Sequence, residues 1–417
     1  MAREAAATAD VVVGLVSYND AETVGDVVSA VREGLDVHFA GLVSRVALVD
    51  AGSSDATVAR ARAALRAGGG LLELSPPRAR ADLLELPYHG IPGKARALHA
   101  MLTAAREMKA RACVVLDASV RTVTPQWMEW LARPVIDHAF DLVSPLYQRH
   151  PHEGALTKGL VSPLFRALYG VRLRQPAAAE FACSARLLDH FLDEDVWDRE
   201  GAQVGIDLWL ATSAAAGDFR IGEAALGIRA YRTRGEGALD LPATVTQVVG
   251  ALFADLESRA ERWQRTRGSV PVQPFGAPPS AVPLPASTVD PERLIETFRL
   301  AYRELHDIWT WVLPPRTLLE LRKLVDCPPA QFRLDDELWA RIVYDFAVGY
   351  RLRTLARGHL LRSLVPLYVG WLASFVLQVR ELDPDAIDQR VEDLAMAFET
   401  QKPYVIARWR WPERFRT

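Results

Sequence analysis

Cysteine is scarce in this chain. Three residues, Cys113, Cys183 and Cys327, are spread through 417 positions. Their number is odd and no two form a Cys-x-x-Cys pair, which excludes a disulfide framework or a thiolate zinc site as the organising principle. A reducing, cytoplasmic setting is expected. An excess of charge of one sign is lacking as well. The formal net charge is −3, so no footprint for a nucleic-acid partner is present and none is expected. Nor does any apolar run reach the ~20 residues of a spanning helix. The nearest is residues 364–379, LVPLYVGWLASFVLQV, which contains Pro366 and Gly370 and is flanked by Arg362 and Arg380. It reads as a buried helix of a bundle, with contact to a membrane surface as the alternative, and not as a transmembrane segment. The opening MAREAAATAD is too polar for a signal peptide.

What is present is ordinary globular material, 50% hydrophobic and 24% charged, with ample residues for a core. VVVGLVS at 11–17 is a continuous apolar run that ends in small and polar residues, the pattern of a parallel strand buried on both faces. Asn19-Asp20 offers a helix cap, and 21–31 carries helical spacing. RVALV at 45–49 reads as a second strand closed by DAGSSDAT, a turn whose acids and serines also cap a helix over 57–66. Short strand patterns follow at 71–74, 112–116 and 141–145. Helical patterns follow GIPGK and again at 127–139. The alternation implies an α/β domain with a mainly parallel sheet. In such a sheet ligands bind beyond the carboxyl ends of the strands, which gathers Ser17, Asp50 and Asp117 on one rim. After a Pro/Gly-dense stretch over 265–287, Asp290-Pro291 reads as a cap followed by a first-turn proline, and the pattern is then helical almost to Trp409.

Each candidate residue has an ordinary structural explanation beside a chemical one. Asp50 caps a turn, or accepts from a nucleotide base or ribose. Lys94 is a solvated charge, or part of a diphosphate cradle at a helix start. Asp117 ends a buried strand, where a carboxylate needs a donor, a cation or a sugar hydroxyl.

Taken in order, SYNDAETV, VDAGSSDAT, PGKARAL and LDASVRTVTPQW resemble the motifs of GT-A-fold nucleotide-sugar glycosyltransferases. The further motifs DLVSPLYQRH, PLFRALYGVRLRQP, VGIDLWLATSAAAGDFRIGEAALG, ELWARIVYDFAV and QKPYVIARW resemble the branch around mannosylglycerate synthase and glucosyl-phosphoglycerate synthase. The resemblance implies that Ser17, Asp50, Lys94, Asp117 and Ser119 bind the nucleotide sugar. It implies that Asp207 and Glu180 are the acids near the sugar and acceptor, and that Arg149 binds an acidic acceptor through its planar fork. Asp117 would open an Asp-x-Asp motif that holds Mg²⁺ or Mn²⁺ through hard oxygen ligands.

The chain departs from that pattern where metal would bind. Ser119 stands in place of the second acid, and Tyr231 in place of a late metal-binding histidine. A hydroxyl and a phenol are poor substitutes for a carboxylate and an imidazole. The small loop after RQP is AAAEF, with Glu180 keeping the acid. RAYRTRG supplies Arg229, Arg232 and Arg234 as alternative counter-charges. The expectation is therefore a GT-A domain over 8–264, a strap over 265–287 and a helical domain over 288–417 that offers a homodimer surface. The expected activity is retaining hexosyl transfer from a nucleotide diphosphate sugar to a small hydroxylated or acidic acceptor, with divalent metal weakly bound or unused. The alternatives are an inactive relative that binds nucleotide sugar or a protein partner, and a nucleotidyltransferase.

Overall fold

The structure is a computed structural model that describes residues 8–65, 71–76, 87–148, 153–197, 199, 202–230, 240–276 and 289–412. In chain order its strands are β1 (Val11–Ser17), β2 (Ser44–Asp50), β3 (Leu72–Leu74), β4 (Ala112–Asp117), β5 (Leu142–Gln148), β6 (Val171–Arg172), β7 (Phe181–Ser184), β8 (Ile221–Ile228), β9 (Val270–Pro271) and β10 (Gln273–Phe275). Eight of them form one sheet in the order β10-β8-β5-β7-β4-β1-β2-β3. Every pairing in it is parallel except those of β7, which runs antiparallel between β4 and β5. The mainly parallel GT-A-like sheet expected from the alternation is present, and a helical bundle follows it from Pro291 to Arg410.

The chain divides into two compact units. One comprises 1–148, 175–239 and 272–282; the other comprises 149–174, 240–271 and 283–417. This is not the linear division at 264 and 288 expected from composition. Residues 149–174 and 240–271 cluster with the helices downstream because their own helices, Ser162–Tyr169 and Leu241–Ser258, pack there. The expected strap contributes structure as well: β9 pairs with β6 in the second unit, and β10 extends the edge of the main sheet beside β8. The first helix also begins later than Asn19-Asp20 suggested, at Val24 with Thr23 as its cap residue. The backbone before it is occupied otherwise, since the Asp20 carboxylate accepts from the Tyr18 amide.

The apolar run of β1 is buried along its whole length because β1 lies between β2 and β4 with both faces covered. Gly14 interrupts the run for a steric reason. A Cβ there would overlap the Met101 side chain, so its absence lets the helix Lys94–Glu107 lie close on the strand. The first residue of that helix, Lys94, thereby sits at the carboxyl edge of the sheet.

In the helical unit, residues 364–379 belong to one long helix, Arg357–Val379. By length and composition it could cross a membrane, but 83% of its most apolar window is buried inside the protein. Its Trp371 stacks on Trp339, and the Trp339 indole donates to the Gly159 carbonyl at 2.7 Å. Gly159 lies in a π-helical turn, Thr157–Val161, and a Cβ on it would overlap the Trp371 ring. Overpacking against so rigid a ring costs roughly 1–3 kcal/mol. Gly159→Ala should lower the denaturation midpoint accordingly without changing the chemistry of the sheet unit. Gly159→Ala matching the unsubstituted protein in urea would refute this packing argument.

Candidate active site

Three strand ends define the rim. In the parallel register Ser17 aligns with Asp50 and Val16 with Asp117, so the exits of β1, β2 and β4 lie side by side. Asp50 makes the turn its sequence predicted. Its Oδ2 accepts from the amides of Gly52 and Ser53 at 2.9 and 2.8 Å, and its Oδ1 accepts from the Ser17 hydroxyl at 3.2 Å. Gly52 holds φ +87°, which glycine adopts without strain. Both carboxylate oxygens of Asp50 are engaged in shaping the rim.

The Asp117 loop is fixed from three sides. The Ser119 amide donates to Asp117 Oδ1 at 2.8 Å. The Thr23 hydroxyl donates to the Ala118 carbonyl at 2.6 Å. The Arg121 amide donates to the Ala230 carbonyl at 2.7 Å. This last bond ties the loop after β4 to the chain leaving β8, the segment that carries Arg229.

Lys94 arrives by a different route. Gly93, at φ +66°, precedes it as the helix cap residue. Two positions before the turn ends, His89 Nδ1 accepts from the Ile91 amide at 3.2 Å. That bond leaves the proton on Nε2, which donates to the Gln203 carbonyl at 3.0 Å. Gln203 is in the first turn of the helix Ala202–Ala216, so the histidine clips the Lys94 turn to the helix bearing Asp207. Lys94 Nζ then donates to Asp207 Oδ2 at 2.6 Å, with both side chains 2% exposed. Asp207 Oδ1 is buried without a hydrogen-bond partner among the described residues. Burial raises the Asp207 pKa most; Lys94 opposes the rise, and Glu180 and Asp117 add to it.

Glu180 and Arg229 form the second buried pair. Arg229 Nη2 donates to Glu180 Oε1 at 2.8 Å, and the Tyr147 hydroxyl donates to Glu180 Oε2 at 2.9 Å. Burial opposes the charge on Arg229, but the attraction of Glu180, then of Tyr147 and Asp117, outweighs it and raises the guanidinium pKa. Tyr88 completes the group. Burial, and then the charge of Asp207, push its phenol well up, while Arg229 acts the other way. Lys94 and Arg229 thus face Asp117, Glu180 and Asp207 in one electrostatically coupled cluster. Ser17 and Asp50 lie at its side along the rim. Arg149, Tyr231, Arg232 and Arg234 lie outside the described residues.

Sequence reasoning missed Tyr88, His89 and Tyr147 as members of this site. Tyr147 stood inside the motif DLVSPLYQRH, but nothing local marks it as the partner of an acid 33 positions away. Arg229 was visible only as one of three arginines.

The cluster does not suit a hard divalent cation. Asp117 Oδ1 already accepts from the Ser119 amide, and residue 119 offers a hydroxyl where a carboxylate would serve. Glu180 and Asp207 are each tied to a buried cation. Among the described residues no group of three or more His, Cys, Asp or Glu side chains could hold a metal ion.

A parallel sheet with one antiparallel strand near its middle, an acid at the exit of β4 and a lysine–acid pair beside it match the arrangement expected of a GT-A-type nucleotide-sugar-binding domain. The chain is related to the glucosyl-3-phosphoglycerate synthases. It is 29% identical over 256 residues to that of Mycolicibacterium paratuberculosis, covering 58% of this chain and 70% of the relative. It is 29% identical over 257 residues to that of Mycobacterium tuberculosis strain H37Rv, covering 58% and 71%. A crystal structure of the Mycobacterium tuberculosis synthase with Mg²⁺ and uridine diphosphate overlaps with a TM-score of 0.45 at 27% identity, covering 59% of this chain and 79% of that one. No family model matches the chain.

Proposed function

We propose that this protein transfers a glucosyl group from a nucleoside diphosphate glucose to a phosphoglycerate-like acceptor, using fixed protein cations where a divalent metal would otherwise act. The relatives' activity supports the substrate class. The observation that carries the reading is the pairing of Lys94 with Asp207 and of Arg229 with Glu180 around Asp117, at the carboxyl edge of a parallel sheet.

In the reaction the bond from the anomeric carbon to the diphosphate oxygen breaks, and the electron pair leaves with the diphosphate. A bond to the acceptor hydroxyl oxygen forms, and the proton of that hydroxyl passes to the departing diphosphate. Arg229 and Lys94 are placed to offset the charge growing on the leaving oxygen, as preorganised cations do in a site sheltered from water. Asp207 Oδ1, buried and without a partner among the described residues, is suited to accept from a sugar hydroxyl. Glu180, oriented by Tyr147 and Arg229, is the acid assigned to the anomeric side. Asp50 and Ser17 take the nucleoside, and Arg149 the acceptor's anionic group. Retention of anomeric configuration belongs to the same reading.

The test is release of free nucleoside diphosphate from UDP-glucose or GDP-glucose, with and without 3-phosphoglycerate, in EDTA. Release that requires acceptor and survives EDTA is the expected result. Pyrophosphate as the product would replace the reading with a nucleotidyltransferase. Nucleotide-sugar binding without any release, in EDTA or Mn²⁺, would replace it with an inactive binder.

A further inference from the structure

The motif QKPYVIARW at 401–409 takes no part in the site at the sheet rim. It runs through the helix Lys402–Arg410. With the segment 266–268 this helix bounds a cavity of about 440 Å³, within the size range of small-ligand pockets. Both parts belong to the helical unit. Pro403, Ile406, Ala407 and Trp411 give the cavity an apolar side, and Arg267, Gly268 and Lys402 give it a side of hydrogen-bond donors.

Two of these donors are open. Arg267 is exposed. Its Nη1 donates to the carbonyls of Gln264 and Thr266 at 2.7 and 3.2 Å, while its Nε and Nη2 have no partner among the described residues. Gly268 is exposed as well. It holds φ +60°, a Cβ on it would meet nothing within 4 Å, and its amide has no partner among the described residues. Lys402 is 7% exposed, and its Nζ donates to the Thr266 carbonyl at 2.9 Å. Burial, and then the charge of Arg267, lower its pKa to about 8 against the attraction of Glu399. At pH 7 the ammonium is still the major form.

Charge selects the ligand. Glu399 is the one acid lining the cavity among the described residues, and it is engaged elsewhere. Its Oε1 accepts from Arg166 Nε and, at 2.6 Å, from the Ser269 hydroxyl. Arg166 also pairs with Glu392 at 2.6 Å, and Arg172 approaches Glu392 at 3.8 Å. Two arginines thus balance two glutamates, and Arg267 and Lys402 remain as a surplus of two like charges. The carbonyls at the end of the helix Ala260–Arg265 offset part of it. A carboxylate would neutralise one of the two charges. A phosphate monoester carries roughly −1.5 to −2 at neutral pH and offers three acceptor oxygens, enough for a guanidinium and a backbone amide together. We propose that this cavity binds a phosphate monoester of an apolar alcohol or phenol, with its anion against Arg267, Gly268 and Lys402 and its organic group against Ile406 and Trp411.

The probe is phenyl phosphate, titrated by calorimetry into the full-length protein. Saturable binding is expected, about tenfold tighter than that of phenol or of inorganic phosphate, each of which lacks one half of the ligand. Arg267→Glu, at an exposed position, should abolish it. Ile406→Trp should crowd the apolar side and weaken it about tenfold. An anion favours the ammonium form of Lys402, so affinity should fall several-fold from about pH 7 to about pH 9.5 as that proton is lost. Asp50→Asn, in the sheet unit, should leave binding unchanged. The proposal is overturned if the unsubstituted chain does not bind phenyl phosphate, or if either Arg267→Glu or Ile406→Trp binds it normally. It is overturned equally if inorganic phosphate or phenol binds as tightly, if affinity does not fall with rising pH, or if Asp50→Asn removes the binding.

Discussion

Lys94→Met should destabilise the protein by about 3–5 kcal/mol, the usual effect of removing one partner of a buried ion pair, and should abolish sugar transfer. The size of the effect follows from burial. Both side chains are 2% exposed, so water cannot take over from the lost ammonium. Asp207 would keep one oxygen without a partner among the described residues and would lose the donor on the other. The damage lies in the orphaned carboxylate, not in a missing attraction, and a second substitution separates the two. Lys94→Met with Asp207→Leu removes both charges, and stability should return most of the way while transfer stays absent.

The pH dependence has a definite sign. The Asp207 pKa is already raised above its ordinary 3.8 in the folded protein, and losing Lys94 raises it further. A carboxyl that binds its proton more tightly when folded contributes stability at low pH and loses it as pH rises through the folded pKa. The deficit of Lys94→Met relative to the unsubstituted chain should therefore be greatest at neutral and alkaline pH and shrink on acidification. Urea unfolding across that range is the measurement. A deficit below 1 kcal/mol, or one constant with pH, would mean that the pair is solvated.

Five strands of the sheet, β1 to β5, were legible because each is a short apolar run bounded by turn chemistry, whereas β7, β8 and β10 were not read from the sequence. The acids closing β2 and β4 were legible because an acid after such a run has few places to go. The pairs at the heart of the site were not. Lys94 and Asp207 are 113 positions apart, and Arg229 and Glu180 are 49 apart. Nothing in a local pattern says that two distant charges will neutralise each other. The lysine expected in a diphosphate cradle is also paired with a buried acid, as is the arginine. The antiparallel placement of β7 was equally hidden, since FACS carries no mark of direction. The division into units failed to follow composition for a related reason: a Pro/Gly-rich stretch signals irregular backbone, whereas unit membership depends on which apolar helix faces meet.

Ser119→Asp should convert the site into one that responds to divalent metal. Ser119 is 1% exposed and its amide already donates to Asp117, so a carboxylate there would stand beside Asp117, whose charge already acts on Asp207. Without a cation the added buried charge is unfavourable, and the variant should melt below the unsubstituted protein in EDTA. With Mn²⁺ two neighbouring carboxylates supply the hard oxygen donors that the natural pair, an acid and a hydroxyl, does not. The melting temperature should then recover saturably, by the equivalent of about 2.7 kcal/mol when the cation reaches a hundred times its Kd. Over the same titration the unsubstituted protein should hardly respond. Adding Tyr231→His should steepen the response further, because a neutral imidazole is a metal ligand and a protonated phenol is not. Two results would count against this account of residue 119. An equal Mn²⁺ response in the unsubstituted protein would show that it already holds a competent ligand set. A Ser119→Asp variant that folds normally in EDTA and ignores Mn²⁺ would show that this side chain does not face the acids of the rim.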